Sequence, residues 1–267
     1  MQSWQGKVAI VTGGSSGLGR AIAATLAARG ASVVIAARGA DKLATVAAEL
    51  DRDGKNVLAV PTDITQQPDV DALIARTLER FGRLDMLVNN AGRSARGEAI
   101  NTTPEEFAEL MNLNLIALVR CTRAAIPHLL ASKGHLVNIG SLAGKTPARY
   151  MGAYSATKYA VSAYSGQLRL ELGPQGLHVL LVSPGPIARD EPRVYDAEKM
   201  AGLPPSARKP GGGVKVGLLR SDKLAEQIVT ACERRRPELV VPGRARIIFA
   251  ISQLWPSLGE RIVRMMS

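Results

Sequence analysis

From residue 7 to residue 242 the chain alternates short apolar runs with longer stretches of helical periodicity. Residues 7–12, 32–36, 57–61, 84–89, 135–139, 178–183 and 238–242 read as strands, and 21–29, 41–50, 68–81, 104–130, 154–172 and 222–235 read as helices. Strand-helix alternation of this kind predicts an α/β, doubly wound parallel sheet, because each crossover must return the chain to the same end of the sheet. The first strand carries Val8, Ala9, Ile10 and Val11 in succession, with no polar alternation. Such a run suits a strand buried on both faces. The 267 residues carry no internal repeat and no linker, so a single domain is expected. Aromatic content of only 4% agrees with an aliphatic sheet covered by alanine-rich helices.

Ligands of such sheets bind outside the carboxyl ends of the strands, near the switch in strand order. The polar motifs of this chain fall there. Thr12 and Gly13 follow the first strand, then Ser15, Ser16, Gly17, Leu18 and Gly19 run into a helix. Glycines let the backbone approach a pyrophosphate, and the free N–H groups at a helix start favour negative charge. The second strand ends in Ala37-Arg38. A carboxylate at that place would bind ribose hydroxyls and repel a 2′-phosphate, whereas a guanidinium can grip one bidentately or stack on adenine. Further along, Tyr154 and Lys158 stand four apart and share one face of a helix, thirteen and seventeen residues after Ser141. An unperturbed phenol ionises near pKa ~10, so a proton donor at neutral pH needs a cation beside it.

Taken together, Thr12-Gly-x-x-x-Gly17-x-Gly19, Asn89-Asn90-Ala91-Gly92, Asn114, Ser141 and Tyr154-x-x-x-Lys158 resemble the short-chain dehydrogenase/reductase family over about residues 6–187. The resemblance implies a Rossmann-type fold and a nicotinamide cofactor. It also implies a catalytic tetrad of Asn114, Ser141, Tyr154 and Lys158. In that scheme Ser141 and Tyr154 hold a ketone, Tyr154 delivers the proton and Lys158 lowers the Tyr154 pKa and bonds the nicotinamide ribose. Asn114 holds a water that links Lys158 to solvent. Asn90, Ala91 and Gly92 join the cofactor site, Asp63 contacts the adenine, and the backbone of Pro184, Gly185 and Ile187 faces the carboxamide. With Ala37 where NAD users of the family carry Asp, and Arg38 beside it, NADP (as NADPH) is the expected cofactor. Ala188-Arg189-Asp190 stands where the family commonly places a cofactor-contacting Thr, a departure in the cofactor-facing part of the lid. Members commonly form homodimers or homotetramers through two helices, here 104–130 and 154–172.

The Pro/Gly-rich stretch 188–221 corresponds to the family's substrate lid, within a catalytic domain of residues 1–243. Its bases Arg193, Arg208, Lys209, Lys215 and Arg220 suit either an anionic substrate or acidic carrier, or a solvated loop. The basic extension 244–267 carries an apolar stripe of Ile247, Ile248, Ile251, Leu254, Trp255, Leu258, Ile262 and Val263, broken at Pro256. It reads either as a segment packed on protein or as one lying at a membrane surface, the latter resembling the lipid- and steroid-handling reductases of the family. The net charge of +11 comes without a recognisable nucleic-acid module, so no specific nucleic-acid partner is expected. Cys121 and Cys232 match no metal spacing; no metal is called for, and reduced thiols and a cytoplasmic location, with possible peripheral membrane contact, are expected. No signal segment and no membrane span are expected, since the first strand starts by Lys7 and no apolar run approaches ~20 residues. These features support an NADP-dependent ketone/alcohol oxidoreductase for a hydrophobic or lipid-like substrate. A 3-oxoacyl thioester reductase and a non-catalytic dinucleotide sensor or scaffold are the alternatives.

Overall fold

The computed structural model describes residues 4–188, 202–208 and 217–266. Seven strands, β1 (Val8–Thr12), β2 (Ser32–Ala37), β3 (Val57–Pro61), β4 (Met86–Asn89), β5 (His135–Ile139), β6 (His178–Pro184) and β7 (Glu238–Val241), form one sheet. The strand order is 3-2-1-4-5-6-7, and each of the six pairings is parallel. The expected strands are present with their ends shifted by at most two residues. The chain winds outward from β1 to β3, then returns to lay β4 beside β1. That reversal opens a crevice at the carboxyl ends of β1 and β4, where such sheets bind their ligands.

Every residue of β1, β4, β5 and β6 is buried. Alternate side chains nonetheless serve different cores, as the two-residue period of a strand requires. Val11, Ile35, Val88, Val137 and Val182 pack on one face with α1 (Gly17–Ala28), α2 (Ala40–Leu50) and α7 (Ser221–Glu233). Ile10, Val34, Leu87, Leu136 and Val179 pack on the other with α3 (Gln67–Phe81), α5 (Ala117–Ala131) and α6 (Tyr154–Leu172). Burial on both faces is the reason these strands read as unbroken apolar runs.

The expected helix 104–130 is α4 (Pro104–Met111), a π turn (Asn112–Ile116) and α5 without a break. A Thr103/Glu106 capping box starts it. Contrary to the sequence reading, the run Pro104–Ala131 is long and apolar enough to cross a membrane by length and composition. In this fold it is a core helix, packed against β4, β5, α3 and α6. The apolar stripe of the C-terminal extension forms two helices, α8 (Ala245–Leu254) and α9 (Pro256–Met266), with Pro256 at the first position of the second. Of the expected lid, 189–201 and 209–216 lie outside the described residues, and with them Arg193, Lys209 and Lys215.

Candidate active site

The carboxyl end of β1 turns through Gly13, whose φ of +65° lies in the left-handed region that glycine enters without a Cβ penalty. Gly19, in the first turn of α1, sits so close to this bend that a Cβ on it would fall 2.2 Å from the Gly13 carbonyl oxygen. No side chain fits between them. Helix α1 begins with Ser16 as its N-cap, but the Ser16 side chain makes no capping hydrogen bond and the first turn carries no acid. The amide donors of that turn are therefore free of side-chain acceptors, and the dipole end is positive and uncompensated. A cradle of glycine backbone leading to an uncapped helix start fits a dinucleotide's pyrophosphate.

Thr12 and Asn90 build the crevice floor. The Thr12 hydroxyl donates to the Val88 carbonyl at 3.2 Å and accepts from the amides of Asn90 and Ala91 at 3.0 and 3.1 Å. One donor and two lone pairs are thereby used in full. The Asn90 side-chain amide donates to the carbonyls of Thr12 and Gly13. These two residues lock the end of β4 to the end of β1, leaving the Thr12 hydroxyl no capacity for a ligand. Asn89 points instead into the core, donating to Thr122 and to Asn138, which in turn donates to Ser165.

Arg38 is exposed at the end of β2. Asp63 closes a turn after β3, its carboxylate accepting from the amide and hydroxyl of Thr65 at 2.9 and 2.7 Å. The Thr65 hydrogen bonds hold the Asp63 carboxyl below its ordinary range, and the Arg38 charge adds to the effect. Arg38 and Asp63 thus share the rim beyond β2 and β3.

The expected tetrad converges at the carboxyl ends of β4 and β5. Lys158 is buried on α6 and donates from Nζ to the Ile139 carbonyl at 2.7 Å. Burial pushes its pKa down to about 8, since removing water penalises the ammonium. Its Nζ lies 5.8 Å from the centre of the Tyr154 ring. Tyr154 opens α6 and is half-buried. Ser141 caps a short turn, its Oγ accepting from the Ala143 amide at 3.1 Å. That cap consumes a lone pair and leaves the hydroxyl hydrogen available to donate.

Asn114 lies fully buried in the π turn. Its Oδ1 accepts from the Arg93 amide at 2.9 Å, and its Nδ2 donates to the Arg93 carbonyl and to Thr157 Oγ1. Thr157 Oγ1 donates in turn to the Tyr154 carbonyl at 2.8 Å. Asn114 therefore ties the loop after β4 to the helix that carries Tyr154 and Lys158. A π turn at this place, of a kind often found at functional sites, shifts the register of the helix beside the tetrad. Pro184 ends β6, Gly185 donates to the Val241 carbonyl at 2.7 Å, and Ile187 bridges to Leu219. Ala188 donates to the Leu219 carbonyl; Arg189 and Asp190 lie outside the described residues.

Two participants escaped the sequence reading. Thr157 follows Tyr154 by three and shares its helix face, so spacing alone could have found it. Arg96 carried no signal: it is buried, donating to the carbonyls of Ala95 and Ala207 and to Met151 Sδ. It joins the loop after β4, the approach to α6 and the turn at 205–208.

The short chain dehydrogenase model matches residues 7–197. An uncharacterized oxidoreductase of Staphylococcus aureus (strain MRSA252) is 39% identical over 180 residues, 67% of this chain and 77% of the relative. Among solved structures, a 3-ketoacyl-(acyl-carrier-protein) reductase from Brucella melitensis complexed with NADH is 31% identical. It superposes with a TM-score of 0.77 over 91% of this chain and 100% of that one. An alcohol dehydrogenase from Thermococcus sibiricus complexed with 5-hydroxy-NADP is 27% identical, with a TM-score of 0.73 over 88% and 95%. The chain belongs to the short-chain dehydrogenase/reductase family of oxidoreductases.

Proposed function

We propose that this protein is an NADP-dependent reductase or dehydrogenase that interconverts a ketone and a secondary alcohol, acting on a hydrophobic, lipid-like substrate in a reducing compartment. The observation that carries the chemistry is the buried Lys158 beside Tyr154, with Ser141 close by in sequence to the Ile139 carbonyl that holds the lysine. Dinucleotide binding alone does not require a phenol next to a desolvated ammonium, which argues against a non-catalytic sensor.

Gly13, Ser15, Ser16, Gly17, Leu18 and Gly19 would hold the pyrophosphate, Arg38 the 2′-phosphate, and Asp63 the adenine. Asn90, Ala91, Gly92, Pro184, Gly185 and Ile187 would line the nicotinamide half. When bound, the dinucleotide supplies or takes up hydride. Ser141 donates its free hydroxyl hydrogen to the substrate carbonyl and orients it. Tyr154 gives its phenolic proton to the carbonyl oxygen as negative charge gathers there. Lys158 holds the resulting phenolate by charge, and two of its three N–H donors remain beyond the one spent on Ile139. Asn114 fixes the π turn and keeps one Oδ1 lone pair for a water on the route by which Lys158 exchanges protons with solvent.

Tyr154→Phe tests this reading. It removes one hydroxyl and little volume, so turnover should be abolished while NADPH affinity stays nearly unchanged; Lys158→Met should lower both. Near-wild-type turnover by Tyr154→Phe on a verified ketone would remove Tyr154 as the acid. A second reading, reduction of 3-oxoacyl thioesters on an acidic carrier, is favoured by the likeness to the Brucella melitensis enzyme and by the net charge of +11. Parallel assays of NADPH oxidation with long-chain ketones and with acyl thioesters separate the two.

A further inference from the structure

The C-terminal helices leave the domain at the same sheet edge as the tetrad, because all seven strands are parallel and α8 begins four residues after β7 ends. The Val241 carbonyl at that end accepts from the Gly185 amide, which joins this exit point to the 184–187 segment. Helix α8 packs on β7, and α9 packs chiefly on α8. Gly259 lies so near Ser252 that a Cβ on it would fall 2.5 Å from Ser252 Oγ, so the two helices form a tight pair.

Each helix carries apolar residues at i, i+4 and i+7: Ile247, Ile251 and Leu254 on α8, then Leu258, Ile262 and Met265 on α9. The domain leaves most of these stripes open, with Ile251 and Ile262 half-buried. Ile247 is 65%, Leu254 67%, Trp255 59% and Met265 73% exposed. Arg244, Arg246, Arg261 and Arg264 accompany them, against a single acid, Glu260. A second copy laid on this surface would bring four arginines against four more. An anionic lipid surface instead matches the arginines through its headgroups and the stripes through its acyl boundary.

We propose that α8 and α9 form a docking hairpin for anionic membrane surfaces, seating the active-site edge against the bilayer. The proposal rests on the hairpin's surface and does not require the assigned chemistry. If that chemistry holds, the substrate class it favours is a long-chain ketone or alcohol dissolved in the lipid.

The full-length protein should co-sediment with vesicles of 30% phosphatidylglycerol in phosphatidylcholine, and weakly or not at all with pure phosphatidylcholine. Raising the salt from 0.1 to 0.5 M should release it, since the Debye length then falls below ~10 Å. The chain has two tryptophans, and Trp4 is buried. A blue shift of the emission on adding anionic vesicles therefore reports Trp255, and Trp255→Phe should abolish it. Arg244→Gln, Arg246→Gln, Arg261→Gln and Arg264→Gln together should weaken vesicle binding by more than about tenfold; Leu254→Ser with Leu258→Ser should do likewise. Circular dichroism and turnover of a short, water-soluble ketone should stay at wild-type levels, which separates a docking defect from a folding defect. Absence of binding to anionic vesicles would overturn the proposal, as would binding with no change in Trp255 emission. A concentration-dependent dimer broken by Leu254→Ser would instead assign the hairpin to a second copy. If no ketone is turned over but vesicles bind, the catalytic reading fails and the docking hairpin stands.

Discussion

At the residue scale, the site depends on how many hydrogen-bonding positions each polar group has left. Ser141 caps a turn and still has a hydrogen to give, whereas the Thr12 hydroxyl is fully used in joining β1 to β4. Both side chains were legible in the sequence as site residues; which of them can reach a ligand was not. Arg38 stands exposed without a carboxylate on its own strand end, so Arg38→Ala should weaken NADPH binding by about 1–3 kcal/mol and leave NADH binding little changed. Titration of both cofactors by fluorescence checks it, and equal losses would show that Arg38 does not read the 2′-phosphate. At the opposite end of the sheet, His135 and His178 meet Nδ1 to Nδ1 at 2.8 Å, and His178 Nε2 reaches the Arg236 carbonyl at 2.8 Å. A carbonyl only accepts, so His178 carries its proton on Nε2, and His135 Nδ1 donates between the rings. That assignment of the shared hydrogen holds because burial penalises an imidazolium and keeps both rings neutral. Burial first, then mutual repulsion and Arg235, push His135 down to about 3, with Asp85 opposing; burial chiefly pushes His178 down to about 4. Both lie below the unfolded value near 6.5, so between those limits the unfolded chain binds more protons than the folded one. Stability from this pair is complete above about pH 6.5 and is lost as the pH falls toward 4, a loss on the order of a few kcal/mol. Urea unfolding across that range should show the slope, and His135→Phe with His178→Phe should flatten it.

At the element scale, helix and strand positions follow from periodicity, while their ends follow from contacts. Propensity starts the first helix at residue 21, but α1 already begins at Gly17, because propensity discounts both Gly17, whose φ of +50° suits glycine, and Gly19, whose place the Gly13 bend requires. The π turn at Asn112–Ile116 lies within a run that reads as ordinary helix. Its partners, Arg93 and Thr157, are 21 and 43 residues away, so no local pattern announces it. Helices α5 and α6 flank this turn, and Ile116, Tyr159 and Leu170 remain exposed there. These helices are expected to bury those residues in a homodimer or homotetramer. Sedimentation velocity at micromolar concentration should show the oligomer, with Leu170→Glu shifting it toward monomer; a wild-type monomer would refute this assembly.

At the scale of the whole molecule, the parallel sheet gathers chemistry from distant segments onto one edge. Gly13, Asn90 and Ser141 each follow a strand, and α6 returns Tyr154 and Lys158 to the same place. That convergence was legible in the sequence, because strand period, glycine spacing and the Tyr-Lys interval are local properties of the chain. The fold class and the identity of the polar motifs belong to this local information, whereas the strand order 3-2-1-4-5-6-7 is set by long-range pairing. Only the tertiary structure decided that Lys158 is held by the Ile139 carbonyl, that Arg96 ties Met151 to Ala207, and that His135 pairs with His178. These contacts depend on register, burial and the approach of backbone groups far apart in sequence, and a carbonyl oxygen has the same identity at every position. The apolar stripe of the C-terminal extension was visible in the sequence as a stripe. Its exposure was decided by packing, since α8 and α9 bury each other's inner faces and leave Ile247, Leu254, Trp255 and Met265 to whatever surface they meet.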